Sequence, residues 1–335
     1  MEILVYSGLE LLGDGVMKLP FVRALRRTWP EARITWLAGK GKTVYAGTLA
    51  PLVADCLDEI IEDAGIGAAA RELWRNPLPG RRFDLVIDTQ RRVLTTLILR
   101  RIRAAAFVSG AAGFLLSRPR PPRCRAKPPA MLGQLFDLLE LAAGHRVEPI
   151  HDLRLPAPWR EAAERLLPPG PAYLGFAPGA GGAHKRWPLD RFLALACAQH
   201  AAGRAPVFLL GPDETAWLPA IRAAVPGARF PLQEAAAGVD PSPLLTIALA
   251  GKLAAAVAND SGTGHLVAAS GCPMVSLFGP TRAAKFAPCA SRLEIVAAQS
   301  FGGDEMAAIP ESAVAAALGR LLPHPNPPPQ AEEGF

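Results

Sequence analysis

The chain has 335 residues, of which 50% are hydrophobic, and this length predicts two domains of ordinary size rather than one small core. Its 36 basic and 30 acidic residues leave a net charge of +6, an excess whose placement matters more than its size. Five cysteines without a CxxC pair indicate reduced thiols and argue against a disulfide framework. Because the sequence shows no signal peptide and no apolar stretch long enough to span a bilayer, we expect a soluble protein.

Strand-like runs alternate with helical patterns along the first half of the chain. The runs cover residues 3–6, 34–37, 57–61, 83–87 and 105–108, and amphipathic helices are predicted at 16–28 and 93–103. Such alternation predicts a parallel sheet covered by helices. A helix predicted over 129–143 closes this half, and Gly144 ends it.

A proline-rich segment, 155–171, leads into a second half with the same pattern. Its strands are predicted at 173–177, 206–210, 253–258, 273–279 and 293–297, and its helices at 191–201, 214–224, 265–270 and 310–322. We therefore expect an N-terminal domain over 1–154, a linker over 155–171 and a C-terminal domain over 172–322, with the carboxyl ends of both sheets facing a cleft. The tail, 323–335, is expected to be disordered.

The stretch 259–281 (NDSGTGHLVAASGCPMVSLFGPT) organises the second half. It is typical of the turn, helix and second strand of a βαβ unit, so its Ser-Gly-Thr-Gly turn should lie where open α/β sheets bind ligands. The free N–H groups at the start of the helix suit a phosphate. His265 alone would more often be a packing residue, but beside Asp260 it is a candidate for holding the turn or contacting phosphate.

Three further loops follow predicted strands. Asp14, between two glycines, is either a helix N-cap or a carboxylate available as a general base. The loop 178–188 is either a solvated basic loop or a phosphate site to which Lys185 supplies charge. Glu214 either starts the next helix or bonds the sugar hydroxyls of a nucleotide.

Missing motifs exclude other classes of function. The GKT at 41–43 is not a P-loop because Trp36 occupies the position of the required first glycine. The sequence has no GxGxxG after the first strand, no GxSxG elbow, no DxD pair and no histidine spacing typical of a metal site. We expect neither a metal nor a cofactor.

Residues 89–136 contain no acidic residue and ten basic ones. The block suits a polyanionic partner, although it is commonly just a solvated face. With few aromatics, Phe107 and Phe114 among them, and no nucleic-acid module, it fits an anionic glycolipid surface better than nucleic acid.

Taken together, these motifs resemble those of glycosyltransferase family 9, the heptosyltransferases of lipopolysaccharide core synthesis. The resemblance covers residues 1 to about 322 and is carried by LGDGVMKLP, RALRRTWPEARITWL, FDLVIDTQ, HKRWP, GPDE and the stretch 259–281. It implies a GT-B fold of two Rossmann-like domains with parallel sheets facing a central cleft. The implied reaction is inverting, metal-independent transfer of a heptose from ADP-heptose to a lipopolysaccharide core acceptor by a cytoplasmic enzyme working at the inner face of the inner membrane.

The resemblance also implies roles for particular residues. Asp14 resembles the base that deprotonates the acceptor hydroxyl. The donor side comprises Gly179, Lys185, Glu214, Asp260, Ser261, Gly262, Thr263, Gly264 and His265. The acceptor side comprises Gly13, Arg91, Arg92 and Arg120. Two residues, Glu10 and Gly15, depart from the family's pattern around Asp14, and they predict a more mobile loop.

Two alternatives stay open at this point. One is another GT-B enzyme, such as a sugar-nucleotide epimerase, which would convert the donor without an acceptor. The other is a non-catalytic protein that binds a sugar nucleotide or a glycolipid.

Overall fold

The computed structural model describes residues 1–67, 69–122, 126–234 and 241–322. The tail predicted over 323–335, together with Arg123 and Arg125 of the basic block, lies outside the described residues. Within the described parts, no helix has both the length and the apolar character needed to cross a membrane.

The first half forms a five-stranded parallel sheet in the order β3-β2-β1-β4-β5. Its strands are β1 (Glu2–Ser7), β2 (Arg33–Ala38), β3 (Glu59–Ile61), β4 (Arg82–Asp88) and β5 (Arg103–Ser109). Helices α1 (Leu12–Thr28), α2 (Val93–Leu99) and α3 (Met131–Ala143) belong to this half. Because every strand is parallel to its neighbour, the loops that follow the strands gather at one edge of the sheet.

The second half repeats the arrangement after α4 (Ala157–Leu166), which lies within the proline-rich segment. Its parallel sheet has the order β10-β9-β8-β6-β7. The strands are β6 (Tyr173–Ala177), β7 (Ala205–Phe208), β8 (Ala255–Asn259), β9 (Met274–Phe278) and β10 (Leu293–Ala297). The helices are α5 (Leu189–Ala201), α6 (Leu218–Ala224), α7 (Pro231–Glu234), α8 (Pro243–Ala250), α9 (Gly262–Ala269), α10 (Ala283–Phe286) and α11 (Glu311–Leu321).

The predicted class, α/β with two parallel sheets, is confirmed, but some elements differ from the predictions. Helix α1 begins at Leu12 instead of residue 16, so Asp14 lies inside the first turn and the N-cap position belongs to Leu11. The N-cap interpretation of Asp14 is therefore wrong. Helix α2 ends at Leu99, because residue 103 already pairs with β4. Helix α8 was not predicted: seven of its eight residues are buried, so it shows no polar face.

The two halves share part of one hydrophobic core. The cluster beneath the first sheet, built around residues such as Leu19 and Phe21, also contains Leu244, Ile247 and Leu266 from α8 and α9. Helix α1 packs on α9, and α4 packs on α8. This packing brings the carboxyl edge of one sheet against that of the other.

Candidate functional site

Each sheet reverses its strand order at a point that opens into the space between the halves. In the first sheet the reversal lies between β1 and β4, and in the second it lies between β6 and β8. Ligands of open α/β sheets bind at such switch points. The loops after these four strands carry Asp14, Arg91, Lys185 and Asp260, so the topology directs the predicted residues toward one cleft.

The starts of α1 and α9 meet across this cleft. A Cβ atom built on Gly13 would lie 3.0 Å from Cδ2 of His265 and 3.6 Å from Cα of Gly262. A Cβ atom at position 13 would be in tighter than ordinary van der Waals contact, so glycine favours this approach. Asp14, the next residue, is half-buried in the first turn of α1, where the helix dipole favours a negative charge.

Asp260 joins two other loops of the second half. Its Oδ2 atom accepts hydrogen bonds from Nζ of Lys185 at 3.1 Å and from Oγ1 of Thr281 at 2.6 Å. The side chain of Asp260 is 9% exposed, and that of Lys185 is 29% exposed. Lys185 is therefore held by Asp260 while part of its side chain stays exposed.

The turn before α9 leaves backbone donors free at its first positions. Ser261 is the N-cap, and its Oγ atom accepts a hydrogen bond from the N–H of Gly264 at 3.1 Å. Gly262 and Thr263 occupy the first two helical positions, where N–H groups have no partner within the helix. Such donors, together with the dipole of the helix, form a site suited to an anion.

Glu214 lies in the short helix Pro212–Trp217, which follows β7. It is 7% exposed, and its carboxylate accepts the N–H of Gly211 at 3.1 Å and pairs with Arg186 at 3.6 Å. A Cβ atom on Gly179 would lie 2.6 Å from Cδ of Glu214, so the glycine permits this close packing. Glu214 thus lies at the start of the next helical turn, as one of the two interpretations expected, and its contact with a sugar stays a prediction.

His265 is held mainly in its neutral form. Burial lowers the pKa of its imidazole below the ordinary value, and Lys185 acts in the same direction. The charges of Asp260 and Asp14 oppose this shift without reversing it. A neutral ring donates from one nitrogen and accepts at the other, so His265 can bond a phosphate or a sugar hydroxyl without a full charge.

The acceptor-side arginines differ in their surroundings. The guanidinium of Arg91 packs over the ring of Phe114 at 5.7 Å, and burial lowers its pKa. Among the described residues, its buried Nη2 atom has no hydrogen-bond acceptor. Arg92 is exposed at the N-cap of α2. Arg120 is exposed in the segment after β5, and no contact among the described residues joins it to Arg91 or Arg92.

The sequence interpretation missed two buried carboxylates near the cleft. Asp88 ends β4 and accepts hydrogen bonds from Thr96, Ser109 and the N–H of Gln90. Glu10 was noted only as a departure from a pattern, yet it is 4% exposed and bonded to Lys18 at 2.7 Å. The position of Asp88 at the end of a predicted strand was a usable signal. Across the described ranges, no group of three or more His, Cys, Asp or Glu side chains could hold a metal ion.

A cavity of about 1070 Å³ lies at the contact between the halves. It is lined by residues of α1, α4, α8 and α9, His265 among them, and by the segments 149–155 and 289–291. The loops after β6 and β4 do not line it. Of the site residues predicted from the sequence, His265 lines this cavity and the others do not.

Comparison with known proteins gives one family and several relatives. The family model described as glycosyltransferase family 9 (heptosyltransferase) matches residues 71–306. Lipopolysaccharide heptosyltransferase 3 of Escherichia coli is 25% identical over 338 residues, which cover 93% of this chain and 96% of that protein. This relative spans nearly the same length as the chain.

Solved structures of low sequence identity share the fold. A glycosyl transferase family 9 protein from Veillonella parvula DSM 2008 is 20% identical, with a TM-score of 0.68 and coverage of 96% of both chains. The E. coli heptosyltransferase WaaC with ADP is 18% identical, with a TM-score of 0.68 and coverage of 96% of this chain and 100% of that chain. The two-sheet architecture described above is the architecture of these structures.

Proposed function

The chain belongs to glycosyltransferase family 9, and from that premise we propose that it moves a heptose from ADP-heptose to an anionic lipopolysaccharide core acceptor, with inversion and with Asp14 as the general base. The activity class, a glycosyltransferase of the heptosyltransferase family, is given by family membership. Donor, acceptor and residue roles are the proposed part. Two relatives support them: one is a lipopolysaccharide heptosyltransferase, and the other is a heptosyltransferase whose structure was solved with ADP.

The second half supplies the donor site in this proposal. The ammonium of Lys185, held by Asp260 at 3.1 Å, neutralises the diphosphate as it leaves. The N–H groups of Gly262 and Thr263 add donors at the start of α9. Fixed charges and dipoles of this kind stabilise a developing negative charge without needing to reorganise during the reaction. Glu214, beside Gly179, is proposed to bond the ribose hydroxyls.

The first half supplies the base and the acceptor site. Asp14 takes the proton of the acceptor hydroxyl, the oxygen attacks the anomeric carbon, and the bond from that carbon to the diphosphate breaks. Inversion requires the base and the leaving group to lie on opposite faces of the sugar, which is why they belong to different halves. Gly13, Arg91, Arg92 and Arg120 are proposed to face the acceptor. The buried, unpaired Nη2 atom of Arg91 would gain an anionic partner there.

One observation carries the proposal: the turn of Gly13 and Asp14 touches the turn from Gly262 to His265. A sugar bound beside this contact would have a carboxylate on one side and the diphosphate site on the other. Closure of the halves around the donor would exclude water and so limit its hydrolysis. We accordingly propose that residues 1–154 form the acceptor domain and 172–322 the donor domain, joined by 155–171.

The partners follow from the same reasoning. We propose that the enzyme is cytoplasmic, that it meets its glycolipid acceptor at the inner face of the inner membrane, and that nucleic acid is not a substrate. The arginines of the first half suit phosphorylated sugars on the acceptor.

The first test compares Asp14→Asn with the natural protein. Removing the base should lower kcat by a factor of about a hundred or more, whereas the affinity for ADP should change less than about threefold. Transfer is followed by release of ADP in the presence of a core acceptor, and binding is followed by calorimetry.

Asp190→Asn is the matched control, because Asp190 also lies in the first turn of a helix but is exposed on α5. It should retain full activity. Near-normal turnover by Asp14→Asn would exclude the mechanism. Conversion of the donor in the absence of any acceptor would point to an epimerase, and a preference for UDP over ADP would exclude the proposed donor.

A further inference from the structure

The outer surface of the first half carries a group of exposed, bulky apolar side chains. Trp74 is 84% exposed, Leu115 is 61% exposed, and Val93 and Leu97 on α2 are 47% and 38% exposed. Burying such side chains is normally favourable, so exposed groups of this size usually mark a binding surface when they lie together. We call these four residues, with the arginines around them, the α2 face.

Hydrogen bonds and packing hold the segments of the α2 face side by side. Nε of Arg101, just after α2, donates to the carbonyl of Leu73 at 2.8 Å, next to Trp74. Nη1 of Arg100 donates to the carbonyl of Leu116 at 2.6 Å, next to Leu115. Helix α2 packs on the short helices Ala70–Trp74 and Ala111–Phe114. Val93 and Leu97 are four residues apart and so lie on one side of the helix.

The sequence had pointed to one continuous segment. The basic block, 89–136, was expected to fit an anionic glycolipid surface, but Phe107, Val108 and Phe114 within it are buried in the core. Phe107 and Val108 belong to β5 and pack the sheet, whereas Leu115 is exposed. The surface is therefore assembled from three separate segments, which no single stretch of sequence reveals.

The charge of the α2 face has one sign. Exposed arginines surround the apolar residues: Arg71, Arg75, Arg92, Arg100, Arg101 and Arg118. The nearest acidic residue, Glu72, accepts the N–H groups of Gly67 and Ala69 and so faces its own loop. Residues 89–136 contain no acid at all. Clustered basic residues are attracted to anionic bilayer surfaces over about one Debye length.

We propose that the α2 face docks on an anionic lipid bilayer. Tryptophan favours the membrane interface, leucine and valine insert into its outer acyl region, and arginine stems lie along apolar surface while their guanidinium groups reach the headgroups. A single-stranded nucleic acid would need several stacking platforms, and this face exposes one aromatic side chain, Trp74, among its described residues.

Docking in this orientation deepens the proposed function and rests on it. Helix α2 begins directly after Arg91 and Arg92, which are proposed to bind the acceptor. The acceptor site therefore borders the docked face, and a lipid-anchored sugar can enter the cleft without leaving the bilayer. Docking determines where the substrate is delivered, and it does not change the chemistry of transfer.

The test measures co-sedimentation of the full chain with vesicles. The unmodified protein should bind vesicles of phosphatidylcholine mixed with phosphatidylglycerol and should bind phosphatidylcholine alone much more weakly. The double variant Trp74→Ser, Leu97→Ser should lower the partition coefficient by about tenfold or more, because both insertion sites are lost. Raising salt from about 0.05 M to about 0.5 M should weaken binding of the unmodified protein, since the charge attraction is screened.

Matched controls separate docking from folding and from chemistry. Ile295→Ser with Phe301→Ser removes comparably exposed apolar side chains, 44% and 41%, from the second half and should leave vesicle binding unchanged. The α2-face variant should still transfer sugar to a water-soluble acceptor without a lipid anchor. Equal binding by variant and unmodified protein, or equal binding to neutral and anionic vesicles, would overturn the docking proposal. Binding to RNA in preference to anionic vesicles would overturn it too.

Failure of the proposed function gives a different pattern. In that case no acceptor is glycosylated by the unmodified protein, while vesicle binding can still be measured without any nucleotide sugar. Loss of both properties in the control variant would show misfolding, which circular dichroism detects directly.

Discussion

Asp88 is a residue that the sequence analysis did not single out, and the structure places it in an unusual environment. Its carboxylate is fully buried at the end of β4, where Thr96 Oγ1 and Ser109 Oγ donate to Oδ2 at 2.6 and 2.8 Å. Burial raises the pKa of Asp88 to about 6, and the hydrogen bonds only partly offset this shift. The folded protein therefore binds a proton here more tightly than the unfolded chain does.

This pKa predicts a definite sign for the pH dependence of stability. Between the ordinary pKa of an aspartate, 3.8, and the folded value of about 6, the folded state carries more protons, so the contribution of Asp88 to stability falls as pH rises. Asp88→Asn should remove this contribution and raise the free energy of unfolding at pH 7 by up to about 3 kcal/mol. Urea unfolding at several pH values measures it.

The substitution has room to keep the hydrogen-bond network. The hydroxyl of Thr96 also lies 3.1 Å from the carbonyl of Arg92, so it can donate there and accept from the new amide. A variant with an unchanged slope between pH 4 and pH 6 would contradict the assignment of this proton to Asp88. Asp190→Asn, exposed on α5, should leave the slope as it is.

Glu10 shows why some site residues could not be predicted. In the sequence, Glu10 and Gly15 depart from the family's pattern, and these departures predicted a more mobile loop around Asp14. In the structure both oxygens of Glu10 are used, by Lys18, Ser7, Thr43 and Trp36 at 2.6 to 3.2 Å. Its partners lie 3 to 33 residues away, so no local spacing indicates them. Asp14, by contrast, could be named as a candidate base because it follows a strand, and ligands of open α/β sheets bind at the strand ends.

At the scale of elements, the first turn of α1 is fixed by the segment that follows β2. The Tyr45 hydroxyl donates to the carbonyl of Gly15 at 2.8 Å. A Cβ atom on Gly15 would lie 2.3 Å from Cγ2 of Val44 and 3.3 Å from Cδ1 of Leu49. Position 15 is helical, so glycine there costs helix propensity, about 1 kcal/mol relative to alanine. The close packing against Val44 explains why glycine occupies this position in spite of that cost.

Gly15→Ala should therefore destabilise the protein in spite of its better helix propensity. Overpacking typically costs about 1 to 3 kcal/mol, and a valine side chain is too stiff to move aside easily. In a Val44→Ala background the clash is removed, so the same substitution should become neutral or stabilising. The measurement is the free energy of unfolding of the four proteins in this double-mutant cycle.

Gly181→Ala serves as the control for the cycle, because a Cβ atom there meets nothing within 4 Å. It should have little effect in either background. If Gly15→Ala costs the same with and without Val44, the two residues are not in contact in solution.

The elements themselves were predicted well where apolar periodicity was strong. Each of the ten strands among the described residues overlaps a predicted run, since buried parallel strands appear as short apolar segments between turns. Helix α8 was missed because PLLTIALA is apolar on every side, and a fully buried helix has no amphipathic signal. The start of α1 was misplaced because the glycines at 13 and 15 look like loop residues. In the structure they lie in the helix, where they permit close packing against His265 and Val44.

The whole molecule is held together by side chains that cross between its halves. Leu266 on α9 is 3% exposed and belongs to the core cluster of the first half. Leu318 on α11 is 1% exposed and belongs to a cluster formed within the second half. A leucine in a shared core couples the stability of the two halves, whereas a leucine in one core stabilises that half alone.

Leu266→Ala should loosen this coupling. Both Leu266→Ala and Leu318→Ala should cost about 2 to 5 kcal/mol. In differential scanning calorimetry the unmodified protein and Leu318→Ala should each unfold in one transition, the latter at lower temperature. Leu266→Ala should broaden the transition or divide it in two. Two well-separated transitions in the unmodified protein would contradict the idea of a shared core.

The shared core also limits how this chain can be recombined with its relatives. The proline-rich segment looks like a natural junction for exchanging acceptor and donor halves. A crossover there would place a foreign α8 and α9 against the old α1, replacing Leu244, Ile247 and Leu266 beneath the first sheet. Hybrids that keep the residues of α9 that face α1 and those of α8 that face α4 should assemble, and those that exchange the halves outright should lose the contact that brings Gly13 to His265.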